Sequence, residues 1–450
     1  MQKYLIRNAT IINEADEFIG SIIIENGKIK QILRGKNNEL NFPNYQLIDA
    51  EGQFLFPGII DVHTHFREPG LTQKADIYSE SKAAVAGGVT SYFEMPNTTP
   101  QATNISLLEE KYEIASQKSF ANYSFFLGAT NNNYDELEKL NPKTNCGIKL
   151  FLGASTGDML VDREETIKKI FKNIRLPIVV HSEDTKIILQ NTKQYKELYG
   201  NNIPIKFHGK IRSTEACYKT TKYAVDLAKK HGTKLHIAHL TTAKELELLE
   251  NNTNLKDKKI TAEVCPQHLY FDENDYEKLG TKIKCNPSIK TEKDKNALFK
   301  ALINNYIDLI STDHAPHLLD EKNNIYTKAP SGIPMIQFSL VAMLELYNKN
   351  KISLQQIAEK MCHAPATVFN IEKRGFIKEG YWADIVLINP NEKWLLTQNE
   401  IISKCKWSPF ENKEFNYKIS HTFVNGNLIY ENENFNQTKK GKRISFTNPA

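Results

Sequence analysis

Residues 55 to 66 read LFPGIIDVHTHF, an apolar run that ends in two histidines separated by a single residue. A short apolar run of this kind is typical of a strand that is buried on both faces. Successive side chains of a strand point to opposite faces, so His63 and His65 project the same way, about 7 Å apart along the backbone. Two imidazoles placed like this can bind one cation, and the run therefore predicts a strand with a metal site at its end.

Similar apolar runs follow along the chain, and amphipathic stretches such as 166–174 and 213–231 lie between them. Strands that alternate with helices predict βα units and a parallel sheet. Eight runs fit a closed (β/α)8 TIM barrel in the α/β class, although a doubly wound sheet could also hold eight strands. The runs are 55–66, 89–96, 123–129, 147–153, 176–181, 234–240, 260–265 and 308–312.

Both ends of the chain are rich in strand patterns. Residues 4–12, 18–25 and 28–33 alternate or run apolar around the turn Asn26–Gly27, and 383–388, 421–424 and 428–430 repeat this style around Asn425–Gly426. We therefore expect a small composite β domain built from residues 1–54 and 376–450, beside a barrel formed by residues 55–375. Two separate β caps would give the same sequence pattern.

The composition excludes several classes of protein. A net charge of +5 over 450 residues gives no electrostatic case for binding nucleic acid, and the basic residues within 439–443 are interpreted as a solvated tail. The six cysteines contain no C-x-x-C pair, which favours a reducing compartment. There is no signal-peptide pattern and no apolar run of about 18 residues, so we expect a soluble cytoplasmic protein without a membrane partner.

Polar residues end several of the other runs, and the carboxyl ends of barrel strands meet on one face, where active sites lie. His181 ends one run. His236 and His239 both occur in another, and their spacing of three predicts opposite faces of the strand, so that only one faces the interior; we choose His239 because it ends the run. Asp313 closes the last run, where a metal-binding or base role accounts for a carboxylate that is costly to bury unpaired.

Lys149 is unexpected within the apolar run 147–153, because a buried ammonium needs a partner. A buried lysine loses its proton readily and could then add CO2, which gives an anionic carbamate able to bridge two metals. A lysine that reaches solvent from the strand end is the alternative. Four neutral imidazoles with anionic oxygens suit Zn²⁺ best, with Mn²⁺, Co²⁺ or Fe²⁺ also compatible, and two such ions would activate water as a nucleophile.

These residues lie in segments that resemble the dihydroorotases of the amidohydrolase superfamily, over roughly residues 1–440. The resemblance implies that His63, His65 and Asp313 hold one zinc, that His181 and His239 hold a second, and that carboxylated Lys149 bridges them. It also implies substrate contacts from Arg67, Asn97, Asn286 and His317. The segments are DVHTHFREPG (61–70), EMPNT (94–98), IKLF (148–151), VHSE (180–183), HIAH (236–239), CNP (285–287), STDHAPH (311–317) and WSPF (407–410).

One departure within the family concerns the bridging position. Some bacterial dihydroorotases have an aspartate there, whereas this chain resembles the lysine-bearing members. Asp158, nine residues after Lys149, is the alternative bridge, but the Gly-rich stretch 153–157 makes that region a predicted loop.

The activity that the resemblance implies is reversible hydrolysis of (S)-dihydroorotate to N-carbamoyl-L-aspartate, a step of de novo pyrimidine synthesis. Asp313 would take a proton from the attacking water and pass it to the leaving nitrogen. A homodimer is expected from the resemblance, and segment 318–330 is predicted to be a mobile loop that closes on substrate. The alternatives are an allantoinase or hydantoinase, which Arg67 disfavours, a metal-dependent deaminase, and a catalytically silent relative, which the full set of metal ligands disfavours.

Overall fold

The alternating apolar residues at the start of the chain form the predicted strands. The computed structural model describes residues 2–153 and 159–447. Asn26 (φ 53°) and Gly27 (φ 81°) make the tight turn between the second and third strands, because this turn needs positive φ at both positions. The strands are β1 (Tyr4–Asn13), β2 (Asp16–Glu25), β3 (Lys28–Arg34), β4 (Gln46–Asp49) and β5 (Phe54–Pro57).

The middle of the chain forms a closed parallel barrel. Neighbouring strands pair in parallel in chain order, and β8 and β9 below are consecutive parts of one strand. The ring closes where Thr64 bridges His314 in parallel and the His65 N–H donates to the His314 carbonyl at 2.7 Å. This closure excludes the doubly wound alternative. The strands are β6 (Ile59–Thr64), β7 (Val89–Glu94), β8 (Asn122–Phe125), β9 (Leu127–Gly128), β10 (Ile148–Leu152), β11 (Ile178–Ser182), β12 (Leu235–Ile237), β13 (Ile260–Val264) and β14 (Leu309–Ile310).

Helices follow most of the barrel strands and cover the outside of the barrel. The predicted helical stretches 166–174 and 213–231 correspond to two of them, the second with Ser213 as its N-cap. Strand β12 is followed by short 3₁₀ turns instead of a helix. The α-helices are α1 (Ile77–Ala86), α2 (Ile105–Lys118), α3 (Tyr134–Glu138), α4 (Glu164–Asn173), α5 (Thr185–Tyr199), α6 (His208–Ile211), α7 (Thr214–His231), α8 (Pro266–Tyr270), α9 (Asp275–Leu279), α10 (Glu292–Ile303), α11 (Leu319–Lys322), α12 (Ser339–Asn348), α13 (Leu354–Ala358) and α14 (Ala364–Val368).

Strands from both ends of the chain join in one nine-stranded sheet, in the order β20-β19-β18-β15-β5-β1-β2-β3 with β4 beside β1. Strand β5 belongs to this sheet, so the run 55–66 is divided at Gly58, where a Cβ atom would lie 2.2 Å from Thr90 Oγ1. The boundaries of the two domains stay a prediction. The later strands are β15 (Ile385–Asn389), β16 (Trp394–Leu395), β17 (Glu414–Phe415), β18 (Lys418–Val424), β19 (Asn427–Glu431) and β20 (Asn434–Phe435).

The last described residues pack against the barrel, so the prediction of a solvated tail was wrong for Arg443, whereas Lys439 and Lys442 are exposed as predicted. Ile444 and Phe446 are buried in an apolar cluster with Phe93 of β7. The guanidinium of Arg443 pairs with Glu109 at 2.6 Å and lies over the Tyr112 ring at 3.4 Å. Glu109 and Tyr112 of α2 thus hold Arg443 against the barrel, which its charge alone did not predict. None of the helices in the described residues is long and apolar enough to span a membrane.

Candidate metal and substrate site

A cavity of about 600 Å³ opens at the carboxyl ends of the barrel strands. Strands β10 and β11 and the segments that follow β6, β7, β12, β13 and β14 supply its walls, as expected for the active face of such a barrel. The structure brings all of the predicted site residues into this one cavity, and their individual roles stay predictions. They are His63, His65, Arg67, Asn97, Lys149, His181, His239, Asn286, Asp313 and His317.

Three of the predicted metal ligands form a tight cluster. Asp313 Oδ1 lies 3.3 Å from His63 Nε2 and 3.0 Å from His65 Nε2, and one ligand atom from each residue lies within 4.8 Å of the others. Burial lowers the pKa of both imidazoles, so both rings are neutral and can offer a lone pair to a cation. The donor set and its geometry fit a divalent metal ion.

His181 and His239 form a second group beside the first. His181 Nδ1 lies 3.0 Å from His239 Nε2, and the His239 ring lies 5.1 Å from the His63 ring, measured between centroids. Burial lowers the pKa of both rings. His181 Nε2 lies 3.1 Å from Glu183 Oε2, and Nδ1 faces His239. Glu183 was not among the residues predicted for the site.

Both His236 and His239 face the interior, so the prediction of opposite faces was wrong. His236 pairs in register with Val179 and Thr261 on the interior side of the sheet, and its Nε2 donates to Glu263 at 3.0 Å. The alternation does not continue to His239, because β12 ends at Ile237 and His239 has a φ of 40°. The choice of His239 as the residue that lines the cavity agrees with the structure.

Lys149 lies in β10, is buried, and is near both histidine groups. Within residues 2–153 and 159–447, its Nζ has no hydrogen-bond partner, and burial lowers its pKa to about 8. An orphaned amine with this pKa is readily neutral and fits the carbamate hypothesis better than a lysine that reaches solvent. The alternative bridge, Asp158, lies outside the described residues.

Glu263 is the main residue that the sequence analysis left without a role. Its carboxylate accepts hydrogen bonds from His63 Nδ1, from His236 Nε2 at 3.0 Å and from the His239 N–H at 3.1 Å. Burial acts to raise its pKa, but His63 and His236 outweigh burial and hold the pKa well below its usual range. Glu263 therefore fixes the tautomer of His63 so that Nε2 faces Asp313. The available signal was a carboxylate within the apolar run 260–265, which forms β13.

Arg67 and His317 lie together on another wall. The Arg67 Nε donates to the Pro316 carbonyl at 3.1 Å, and one guanidinium nitrogen lies 3.1 Å from His317 Nε2. His317 Nδ1 accepts a hydrogen bond from Lys74 Nζ at 3.1 Å. Burial, with Arg67 and Lys74 nearby, lowers the pKa of His317, so the ring is neutral. This wall can receive an anionic group.

The two predicted amide contacts differ in their surroundings. Asn97 Oδ1 accepts a hydrogen bond from His65 Nδ1 at 2.8 Å, so Asn97 also orients a predicted metal ligand. Asn286 Oδ1 is buried and has no hydrogen-bond partner among the described residues. An acceptor that is buried and unpaired beside a cavity suits a donor on a ligand.

Segment 318–330 forms part of the cavity wall and is held by two buried lysines, Lys322 of the segment itself and Lys284. Lys322 Nζ donates to the carbonyls of Lys284, Pro330 and Gly332 at 2.9 to 3.0 Å, and Lys284 Nζ donates to those of Tyr326 and Ala329. Its closure on substrate stays a prediction.

Comparisons with known proteins agree with the fold. The chain matches the amidohydrolase family over residues 54–429. It resembles the structure of an L-hydantoinase (dihydropyrimidinase) from Arthrobacter aurescens, with a TM-score of 0.90 and 25% identity over 97% of both chains. A dihydropyrimidinase from Brevibacillus agri gives a TM-score of 0.86 and 25% identity over 96% of both. Fold, cavity and family together define a cyclic amidohydrolase.

Curated relatives identify the group of cyclic amidohydrolases to which the chain belongs. A dihydroorotase from Methanosarcina mazei is 31% identical over 96% of this chain and 95% of its own length. A dihydroorotase from Clostridioides difficile is 33% identical over 95% of this chain and 99% of its own length. One from Aquifex aeolicus is 31% identical over 96% of this chain and 100% of its own length. The chain belongs to the amidohydrolase family and, within it, to the dihydroorotases.

Proposed function

We propose that the protein catalyses the reversible hydrolysis of (S)-dihydroorotate to N-carbamoyl-L-aspartate in de novo pyrimidine synthesis. The observation that carries this proposal is the Arg67 guanidinium in the same cavity as the His63, His65 and Asp313 cluster. A cyclic amide that also bears a carboxylate needs both features, and a guanidinium binds a carboxylate through two parallel hydrogen bonds. The dihydroorotase relatives support the same substrate.

The residues present fit two divalent cations, for which zinc is the best match to the donors. His63, His65 and Asp313 would hold one ion and His181 with His239 the other, while Lys149 as a carbamate would lie between them. When bound, such ions supply Lewis-acid polarisation of the amide carbonyl and lower the pKa of water. The carbamate forms when the neutral Lys149 amine attacks CO2, which makes an N–C bond and releases one proton.

The chain's own residues account for binding and proton transfer. Arg67 grips the ring carboxylate, and Asn97 and Asn286 meet the polar edges of the ring, with the unpaired Asn286 Oδ1 accepting from a ring N–H. Asp313 takes a proton from the attacking water and delivers it to the ring nitrogen as the C–N bond breaks. Burial raises the pKa of Asp313, which suits a carboxylate that must hold this proton briefly.

A hydantoinase or dihydropyrimidinase activity is the second candidate, because structures with those names share the fold closely. The rings those names imply lack the carboxylate that Arg67 would bind. A silent relative is disfavoured because all six predicted metal ligands line the cavity. A small-molecule substrate follows from the class, whereas a homodimer and a cytoplasmic location stay predictions from the sequence.

Purified, zinc-loaded protein offered dihydroorotate, dihydrouracil, hydantoin and allantoin in parallel tests the proposal. We expect turnover of dihydroorotate in both directions, with a kcat/KM at least about a hundredfold above that of the rings without a carboxylate. An enzyme that hydrolyses dihydrouracil or hydantoin as well as dihydroorotate would contradict the assignment, and so would one that leaves dihydroorotate intact.

A further inference from the structure

Glu94 and Lys111 form a buried ion pair directly behind the loops of the site. Glu94 ends β7, Lys111 lies in α2, and their charged atoms are 2.8 Å apart with side chains 0% and 1% exposed. Neither residue lines the cavity, and no part of the proposed chemistry uses them. A buried ion pair is weak evidence for stability, because apolar residues of similar volume often stabilise a fold equally well. Its contacts therefore need a further explanation.

Each end of the pair holds the backbone of a different site loop. The other carboxylate oxygen of Glu94 accepts a hydrogen bond from the Phe66 N–H at 3.1 Å. Lys111 Nζ donates to the Met95 carbonyl at 3.0 Å. Phe66 directly precedes Arg67, and Met95 lies two residues before Asn97. One ion pair thus ties together the two loops that carry these predicted substrate contacts.

The backbone at Arg67 needs such support. Arg67 has a φ of 70°, in the left-handed region that side chains other than glycine rarely adopt. Strained conformations of this kind persist only where the surrounding structure holds them. The side chain of Arg67 is held by the Pro316 carbonyl, and the N–H of the preceding residue, Phe66, is held by Glu94.

We propose that the Glu94–Lys111 ion pair is a positioning device that sets Arg67 and Asn97 for the substrate, acting through the main chain without touching the substrate itself. This inference rests on the proposed function. It predicts that loss of the pair affects substrate binding more than the chemical step, because Arg67 grips a group that does not change during the reaction.

The test is the double variant Glu94→Leu with Lys111→Met, assayed with saturating zinc. We expect KM for dihydroorotate to rise about tenfold while kcat changes by less than about threefold, since small displacements of binding groups are costly. The single variant Lys111→Arg keeps the positive charge and a hydrogen-bond donor, so it should keep most of the wild-type affinity for dihydroorotate. If the double variant does not fold, Glu94→Gln, which keeps one acceptor for two donors, should raise KM about threefold.

Lys258 and Asp308 provide a matched control. They form a buried ion pair at 2.8 Å with side chains 2% and 4% exposed, near the starts of β13 and β14. Asp308 also accepts from the Ala262 N–H, and Lys258 donates to the Asn305 carbonyl. The variant Lys258→Met with Asp308→Leu therefore removes a similar pair with similar tethers, away from the cavity, and KM should stay within about twofold of wild type.

The outcomes separate the two proposals. A wild-type enzyme that hydrolyses dihydroorotate, together with an unchanged KM in the Glu94 and Lys111 variants, overturns only the positioning role. An equal rise in KM in the Lys258 and Asp308 variant overturns it too, because the effect would then reflect general destabilisation. Wild-type protein without turnover overturns the proposed function and this inference together.

Discussion

Glu263 offers a direct test of how the metal site is organised, because it contacts the ligands but not the cavity. His63 Nδ1 donates to Glu263, which leaves Nε2 of His63 with the lone pair that faces Asp313. The same carboxylate holds His236 and the backbone of His239. Carboxylates that accept from a metal-binding histidine orient the ring and raise its basicity. We therefore expect Glu263→Gln to weaken zinc binding while the protein stays folded.

The size of the effect follows from what glutamine can replace. Its amide oxygen can accept from His63 Nδ1 and the His239 N–H, and its amide nitrogen can donate to His236 Nε2. This requires the His236 tautomer in which Nδ1 donates to Thr261 Oγ1, 2.8 Å away. Only the charge is then lost, which places the effect near tenfold in zinc affinity, about 1.4 kcal/mol. Glu263→Leu would instead leave three buried donors unpaired at roughly 1–3 kcal/mol each, enough to prevent stable folding.

Zinc affinity can be measured by competition with a chromophoric chelator, and thermal unfolding of the metal-free protein reports stability. Glu245→Gln is the control, because Glu245 is also buried but accepts from Thr221 and Thr242 instead of from predicted metal ligands. Its zinc affinity should equal that of the wild type. A Glu263→Gln protein with wild-type zinc affinity would refute the positioning role, as would an equal loss in the Glu245 variant.

Arg67→Met should raise KM for dihydroorotate about a hundredfold through loss of two charge-assisted hydrogen bonds. An unchanged KM in steady-state kinetics would contradict the proposal that Arg67 binds the substrate carboxylate. Asp313→Asn should lower kcat by at least about a thousandfold, and near-normal turnover at saturating zinc would remove Asp313 as proton carrier. Lys149→Met should bind zinc equally well with and without dissolved CO2, whereas wild type should bind it more weakly in CO2-free buffer. Burial lowers the pKa of His208 well below its usual value. Below about pH 6.5 the unfolded chain therefore binds a proton that the folded chain does not, and the free energy of unfolding decreases as the pH falls, by up to about 1.4 kcal/mol per pH unit. Denaturant unfolding between pH 7 and pH 5 should show a smaller decrease in His208→Gln than in the wild type.

The architecture was predictable because its signals are local. Apolar runs with the length of strands, separated by amphipathic stretches, gave the barrel, and the Asn26–Gly27 turn marked a terminal hairpin. Closure of the ring was predicted from the count of eight runs, but the residues that close it could not be predicted. The last strand, β14, has only two residues, and the closing bridge joins Thr64 to His314, which lies beyond it. The division of run 55–66 at Gly58 depends on Thr90 in the neighbouring strand, and a single run holds no information on that contact.

In the site, too, local patterns could be predicted from the sequence, whereas contacts between distant residues could not. Residues at the carboxyl ends of parallel strands share a face, so His181, Lys149 and Asp313 could be grouped without a structure. Glu263 could not be assigned, because its role depends on His63, 200 positions away in the sequence. Strict alternation misplaced His236, since the rule holds only while the strand continues.

The charges around the cavity explain why a lysine can occupy the middle of a proposed metal site. Burial keeps the surrounding imidazoles neutral, and Asp313, Glu263 and Glu183 place carboxylates beside them. An ammonium at Lys149 would repel cations, but its pKa of about 8 makes the neutral amine accessible at little cost. Conversion to a carbamate would change this position from one positive to one negative charge. Since coupling between two binding events is reciprocal, a chain that uses Lys149 in this way must bind CO2 more tightly when cations are present, by the same factor as CO2 strengthens the binding of cations.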